Sequence, residues 1–179
     1  MSIIEKFYPD NYIDSTYCID FEELKKQGIQ GIIFDIDNTL VPHGAPADER
    51  SKALFLQIHK LGMKTMLLSN NKEPRVKSFA KQVGSPYIYK AGKPATGNYL
   101  KAMEEMGTEK QTTLFVGDQL FTDVWGAKRA GIRNYLVKPI HPKEEIQIVL
   151  KRRLEWIVLR SYEKELTKKQ KEKAKENGN

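Results

Sequence analysis

Asp35 and Asp37 stand one residue apart at the end of the apolar run Gly31-Ile32-Ile33-Phe34. Side chains alternate between the faces of a strand, so both carboxylates project to one side while Ile36 points away. Two acids placed together at the end of an apolar strand repel each other and lose water, which costs free energy. A cation between them relieves that cost, and Mg²⁺, a hard ion with a preference for oxygen, is the natural occupant. A strand running into an Asp/Asn-rich turn would also produce a bare D-x-D. The choice between these readings rests on whether the chain supplies matching parts.

Three further clusters match. Ser69-Asn70-Asn71 follows the apolar segment from Met63 to Leu68. Lys93 lies in Lys90-Ala91-Gly92-Lys93-Pro94, just after Tyr87-Ile88-Tyr89. Asp118 and Asp123 lie in Gly117-Asp118-Gln119-Leu120-Phe121-Thr122-Asp123, after Thr113 to Val116. Each cluster follows a predicted strand, and open parallel sheets bind ligands beyond the carboxyl ends of their strands, where the strand order reverses. Carboxylates for a cation, hydroxyl and amide donors for an anion and a lysine to neutralise charge are the equipment for handling a phosphoryl group. A capping Ser69, a solvated Lys93 or a turn Asp118 is plausible singly; four such clusters on one rim call for a common cause.

The intervening segments read as helices. Asp48 caps one that runs to about Leu61, with Ala53, Leu54, Leu56, Ile58 and Leu61 at its apolar positions. Pro74 opens another that runs to Gln82, a third spans about Thr96 to Met106, and a fourth ends at Ala130 before a strand from Asn134 to Val137. Strands alternating with helices over these spacings predict βα units: an α/β fold of three layers, αβα, with a mostly parallel five-stranded sheet. Residues 1–27 are expected to form an arm, with a short helix from Phe21 to Lys26, that packs on a core of residues 28–142. Residues 143–179 read as a basic helix whose last dozen residues, nearly all Lys, Glu, Gln and Asn, fray.

At 179 residues the chain can bury a real core, and its 40% hydrophobic and 30% charged residues are those of a globular protein. The single cysteine, Cys18, suggests a reducing compartment, and neither a signal peptide nor a membrane-spanning run is evident. A cytoplasmic protein, peripheral to a membrane at most, is the expectation. Of the net charge of +7, the stretch from Lys151 to Asn179 holds ten Lys/Arg against five Asp/Glu, a surplus of +5. Such a tail attracts phosphate-rich partners or merely solvates a helix.

Asp35-Ile36-Asp37-Asn38-Thr39-Leu40 resembles the D-x-D-x-T signature of the haloacid dehalogenase-like (HAD) phosphatases, and Ser69, Lys93 and Asp118 with Asp123 match their later motifs in order and spacing. The likeness covers about Gly31 to Pro139 and is greater still to capless HAD proteins of the YqeG type, related to phosphatidylglycerophosphate phosphatases. It implies a HAD-like Rossmannoid fold and roles for each residue. Asp35 would be the nucleophile, forming an aspartyl-phosphate, and Asp37 the general acid and base. Asp35 and Asp118, with the backbone carbonyl of Asp37, would hold Mg²⁺, and Asp123 would orient the ion or a bound water. Ser69, Asn70 and Lys93 would bind the substrate phosphate.

No stretch is long enough for a cap domain: a loop, a helix and a strand use up Leu40 to Ser69, and Asn70 to Lys93 is equally spare. An open site suits a phosphate carried on something large or closure by a second subunit, with His43 of the flap loop as a candidate contact. Lys151, Arg152, Arg153 and Arg160 beside Trp156, Ile157, Val158 and Leu159 form a basic, aromatic-bearing mixture suited to a lipid interface, or to docking on the sheet or another subunit. A lipid phosphate, phosphatidylglycerophosphate above all, is the leading expectation. Phosphoprotein or nucleic-acid ends are the alternative substrates, and a non-catalytic RNA-binding assembly factor on a HAD core is the alternative of another class.

Overall fold

The computed structural model describes residues 3–141 and 146–176, with the side chains of residues 3, 146–153 and 174–176 outside that description. Contacts divide the chain into one unit of Pro9–Pro142 and another built from Met1–Tyr8 and Lys143–Asn179.

In the larger unit, strands β1 (Asn11–Ile13), β2 (Gly31–Phe34), β3 (Lys64–Leu68), β4 (Tyr87–Ile88), β5 (Thr113–Gly117) and β6 (Arg133–Val137) form one sheet. Their order is β1-β6-β5-β2-β3-β4, and every pairing is parallel. All four residues of β2 are buried, as a central strand covered on both faces requires. Ile32 and Phe34 join one apolar cluster with Phe55, Ile58, Val76 and Phe79. Ile33, facing the other way, joins a second with Met66, Tyr99, Phe115 and Ala127. Helices α1 (Phe21–Lys26), α2 (Glu49–Lys60) and α3 (Glu73–Val83) thus cover one face, and α4 (Gly97–Met106) and α5 (Trp125–Ala130) the other. This is the three-layer fold expected from the sequence.

The sheet has six strands rather than the five expected. Strand β1 is only three residues long and pairs in register with Tyr135, Leu136 and Val137 of β6. It is docked by a clasp that no local pattern announces. The Asp10 Oδ2 accepts from both the backbone N–H and the side-chain amide of the buried Asn134, each at 2.8 Å. Helix boundaries follow local chemistry more closely. The Asp48 carboxylate accepts the Ser51 N–H at 2.7 Å to cap α2, and Gly84, at φ 66°, ends α3 in the left-handed region that favours glycine. Between Asp35 and Lys93 the only regular elements are α2, β3, α3 and β4, so no cap domain is inserted there.

The smaller unit is organised by α6 (Ile146–Glu176). The Tyr8 hydroxyl donates to the Ser161 hydroxyl at 2.8 Å, and the Tyr8 and Tyr162 rings meet edge to face at 5.2 Å. Leu154, Trp156 and Ile157 are each more than half exposed, and the Arg160 guanidinium lies 5.1 Å from the Trp156 ring centroid. The side chains of Lys151, Arg152 and Arg153 lie outside the described residues. No described helix is long and apolar enough to cross a membrane.

Candidate active site

Strand order reverses at β2: the chain leaves it on one side for β3 and β4 and continues on the other with β5 and β6. The crevice between the carboxyl ends of β2 and β5 is therefore where a ligand is expected. The Asp35 N–H donates to the Val116 carbonyl at 3.0 Å, carrying the β2–β5 ladder one residue past the strand. Asp118 follows the last residue of β5. Carboxylate oxygens of Asp35, Asp118 and Asp123 lie within 4.8 Å of one another, and all three residues are buried. Acids 83 and 88 positions apart in sequence thus converge on one point.

Asp123 reaches this point because Leu120–Val124 forms a single π-helical turn, a wide turn of a kind frequent at functional sites. Its Oδ2 accepts the backbone N–H groups of Asp118 and Gln119, both at 3.1 Å. The Tyr99 hydroxyl, donating to the Thr122 carbonyl at 2.9 Å, fixes the turn from below. Gly117 makes room for it: a Cβ there would meet the Asp123 Oδ2 at 2.4 Å. Thr39 donates to the Asp118 carboxylate across 3.4 Å.

Lys93 enters from the far edge. Strand β4 lies two positions from β2, roughly 10 Å at ordinary strand spacing, a gap that a long side chain on a well-held loop can close. The Lys93 Nζ lies 2.7 Å from both Asp35 Oδ1 and Asp123 Oδ1. Asn70 holds the loop, accepting the Lys93 N–H at 2.8 Å and donating to its carbonyl at 3.3 Å. Asn70, expected to touch phosphate, thus spends its side-chain amide on placing Lys93. Ser69 is buried at the end of β3, where its Oγ accepts the Asn71 N–H at 3.2 Å, a bond that leaves its own O–H proton to be donated elsewhere.

Asp37 belongs to a different set of bonds. Its Oδ1 accepts the Gly44 N–H at 2.7 Å and the Arg75 guanidinium at 2.9 Å, and its Oδ2 accepts the Asn71 amide at 2.6 Å. The turn that places it closes on Asn38, at φ 61°, whose N–H donates to the Val41 carbonyl at 2.8 Å. His43 is exposed on the flap loop.

The electrostatics follow from burial. Desolvation pushes Asp35 up to about 6; Lys93 opposes that shift, and the Asp123 and Asp37 charges add to it. Burial pulls the Lys93 ammonium down, but Asp123 and Asp35 more than reverse this and hold it above the usual lysine range. Three buried carboxylates crowd together here, two of them bonded to the Lys93 ammonium. Such crowding in a desolvated place calls for a cation, and hard carboxylate oxygens suit a divalent ion such as Mg²⁺. The Asp123 oxygens already accept from Lys93 and two N–H groups, so Asp35 and Asp118 are the pair that could hold an ion directly.

Arg75, which with Lys72 and Lys77 follows the Ser69 cluster and is expected to add positive charge near the site, bonds Asp37 across 38 positions of sequence. Its role as a partner of Asp37 in particular depends on how α3 is placed, which its position in the sequence does not give. Tyr99 gave no signal beyond its apolar register on α4.

Residues 45–131 match the haloacid dehalogenase-like hydrolase family, a span that includes Ser69, Lys93, Asp118 and Asp123 but begins after Asp37. The chain belongs to that family. It is 39% identical over 140 residues to the Bacillus subtilis (strain 168) protein named "Probable phosphatase YqeG", covering 77% of this chain and 81% of that one. It is 29% identical over 161 residues to phosphatidylglycerophosphate phosphatase 1, chloroplastic/mitochondrial, of Arabidopsis thaliana. That match covers 80% of this chain and only 44% of the plant protein. Among solved structures, the cobalt-bound deoxy-D-mannose-octulosonate 8-phosphate phosphatase (YrbI) of Haemophilus influenzae shares the fold at 12% identity. Its TM-score is 0.50, over 77% of this chain and 91% of that one.

Proposed function

We propose that this chain, a HAD-like hydrolase of phosphoric monoesters, is a Mg²⁺-dependent phosphatase that forms an aspartyl-phosphate on Asp35 and takes its phosphate from a lipid. The observation that carries the reading is the buried meeting of Asp35, Asp118 and Asp123 around Lys93 in a crevice over which no cap domain is inserted.

In the first step an Asp35 carboxylate oxygen attacks phosphorus, and the bond from phosphorus to the leaving oxygen breaks. Asp37 gives that oxygen a proton, and the alcohol departs. Asp37, now a carboxylate, then takes a proton from the water that attacks the phosphorus of the intermediate, releasing phosphate and restoring Asp35. Lys93 and Ser69 hold the non-bridging oxygens as charge gathers on them. Asp35 and Asp118, with the Asp37 carbonyl, would hold Mg²⁺, which would supply charge neutralisation for the group in transfer.

The name of the Arabidopsis relative supports phosphatidylglycerophosphate as the substrate. Exposed Leu154, Trp156 and Ile157 beside Arg160 on α6 support a peripheral contact with an anionic bilayer. The test is a panel of phosphatidylglycerophosphate in vesicles, a phosphopeptide, a 5′-phosphorylated oligonucleotide and a sugar phosphate, each with Mg²⁺ and with EDTA. Release from the lipid should lead the panel and vanish in EDTA. A preference for the sugar phosphate would end the large-substrate argument, and turnover in EDTA would end the metal's part.

One variant tests the architecture rather than the chemistry. Alanine at Gly117 places a Cβ 2.4 Å from the Asp123 Oδ2 and 2.6 Å from its Cγ, so the buried carboxylate must move off Lys93. A displacement of about an ångström in such a site costs on the order of 10²-fold in rate. Gly117→Ala should therefore lose about that factor in kcat while remaining folded, as read by phosphate release and far-UV circular dichroism.

A further inference from the structure

The two cations of the site divide its work. Lys93 is committed to the acidic cluster, through Asp35 and Asp123. Among the described acids, Arg75 pairs with Asp37 alone, at 2.9 Å. Its guanidinium carbon lies 5.5 Å from the ring centroid of the fully buried Phe79, one turn further along α3, which fixes the plane of the fork. In this orientation the Arg75 Nε is buried without a hydrogen-bond partner. A buried donor left unmade is unfavourable, so the side chain gives up one bond to make the one to Asp37. Asn71 takes the other Asp37 oxygen and the Gly44 N–H shares the first, so three segments fix the carboxyl group.

Attack and departure at phosphorus lie roughly in line, on opposite sides of the transferring group. With Asp35 as attacking group, the residue that serves the leaving oxygen marks the other side. Only a carboxyl group aimed within hydrogen-bond reach can deliver a proton there.

We propose that Arg75, assisted by Asn71, is a positioning residue that aims Asp37 at the leaving oxygen. The proposal rests on the reading of Asp37 as the acid and base of a phosphomonoesterase. It makes a prediction that a role in folding or in gripping phosphate does not. A poor leaving group, such as an alkoxide, needs the proton from Asp37, whereas 4-nitrophenolate departs without it. Loss of aim should therefore penalise alkyl phosphates and spare aryl ones in kcat/KM, which covers the steps up to phosphoenzyme formation.

The experiment measures kcat/KM for hexyl phosphate, 4-nitrophenyl phosphate and phosphatidylglycerophosphate with Asp37→Asn, Arg75→Lys, Arg75→Met and Asn71→Ala. General acid catalysis is worth about 10²- to 10⁴-fold. Arg75→Met is expected to lose on the order of 30-fold on hexyl phosphate and less than about threefold on 4-nitrophenyl phosphate, less than the full worth of the acid because the carboxyl group itself remains. Arg75→Lys should fall between wild type and Arg75→Met, and Asn71→Ala should show the same selectivity more weakly. Equal losses on both simple esters, or no loss on either, overturn the proposal, as does a loss confined to phosphatidylglycerophosphate. If Arg75→Met does not fold, Arg75→Lys and Asn71→Ala decide by the same ratio. If Asp37→Asn shows no selectivity the acid role itself fails, and if wild type hydrolyses none of the three esters the phosphatase reading fails.

Discussion

Lys93→Met should lose at least about 10³-fold in phosphate release, the upper range for removing one donor from a charge-stabilising site. The metal-free protein should also become much less stable. The Lys93 side chain is 3% exposed and bonds Asp35 and Asp123, themselves 9% and 1% exposed, so solvent screens little of the interaction. Methionine keeps the length and removes the charge, leaving the buried Asp35 and Asp123 carboxylates without the ammonium that joins them. Breaking a buried ion pair from one side typically costs about 3–5 kcal/mol, which for a chain of this size lowers Tm by roughly 10 °C. Mg²⁺ should restore much of that loss, because the cation binds only the folded cluster and takes over the neutralisation. It should not restore turnover. Thermal unfolding in EDTA and in Mg²⁺, alongside phosphate release, checks both halves. An unchanged Tm in EDTA would show that Lys93 is not the counter-charge described here.

What the chain discloses in advance is what depends on local order. Asp35 and Asp37 end an apolar strand, Asp48 precedes a helical period, Pro74 opens a helix and Gly84 closes it, and each of these features recurs at its place in the fold. The convergence of the acids was legible because parallel sheets gather their ligands at one rim, so four polar clusters after four strands had to meet. What was hidden depends on pairings between distant segments. Strand β1 has three residues and no alternating pattern; it exists because Asp10 clasps Asn134, more than a hundred positions away. The Asn70 side chain looked like a donor for phosphate because it follows Ser69, yet its amide matches the two backbone groups of Lys93, which arrive from another loop. The tie between Arg75 and Asp37 depends on how α3 lies against the turn after β2, which no periodicity encodes.

Asp35→Asn should abolish turnover, because an amide cannot serve as the attacking carboxylate, and should at the same time stabilise the metal-free protein at neutral and alkaline pH. The sign follows from the raised carboxyl. Asp35 moves from an ordinary 3.8 to about 6 on folding, chiefly through burial. Between those values the folded protein holds a proton that the unfolded chain has released, so stability falls as pH rises through that window and stays lowered above it. Asparagine has no such proton to lose, and it leaves Lys93 paired with Asp123. The Tm of Asp35→Asn should therefore lie close to that of wild type near pH 4, rise above it between pH 4 and pH 6, and keep that lead at higher pH. At pH 8 in EDTA the gap should correspond to about 3 kcal/mol, the order implied by a shift of this direction and size. If the cluster holds Mg²⁺, the ion should narrow the gap by stabilising wild type, which keeps both the Asp35 and Asp118 carboxylates, more than the variant. Gaining stability where chemistry is lost is the expected exchange at a site built from mutually repelling charges. Melting curves at pH 5 and pH 8, with EDTA and with Mg²⁺, give the four numbers needed. A variant less stable than wild type at pH 8 in EDTA would mean that the Asp35 charge is already compensated without a metal, and with it would go the electrostatic reason for placing a cation there.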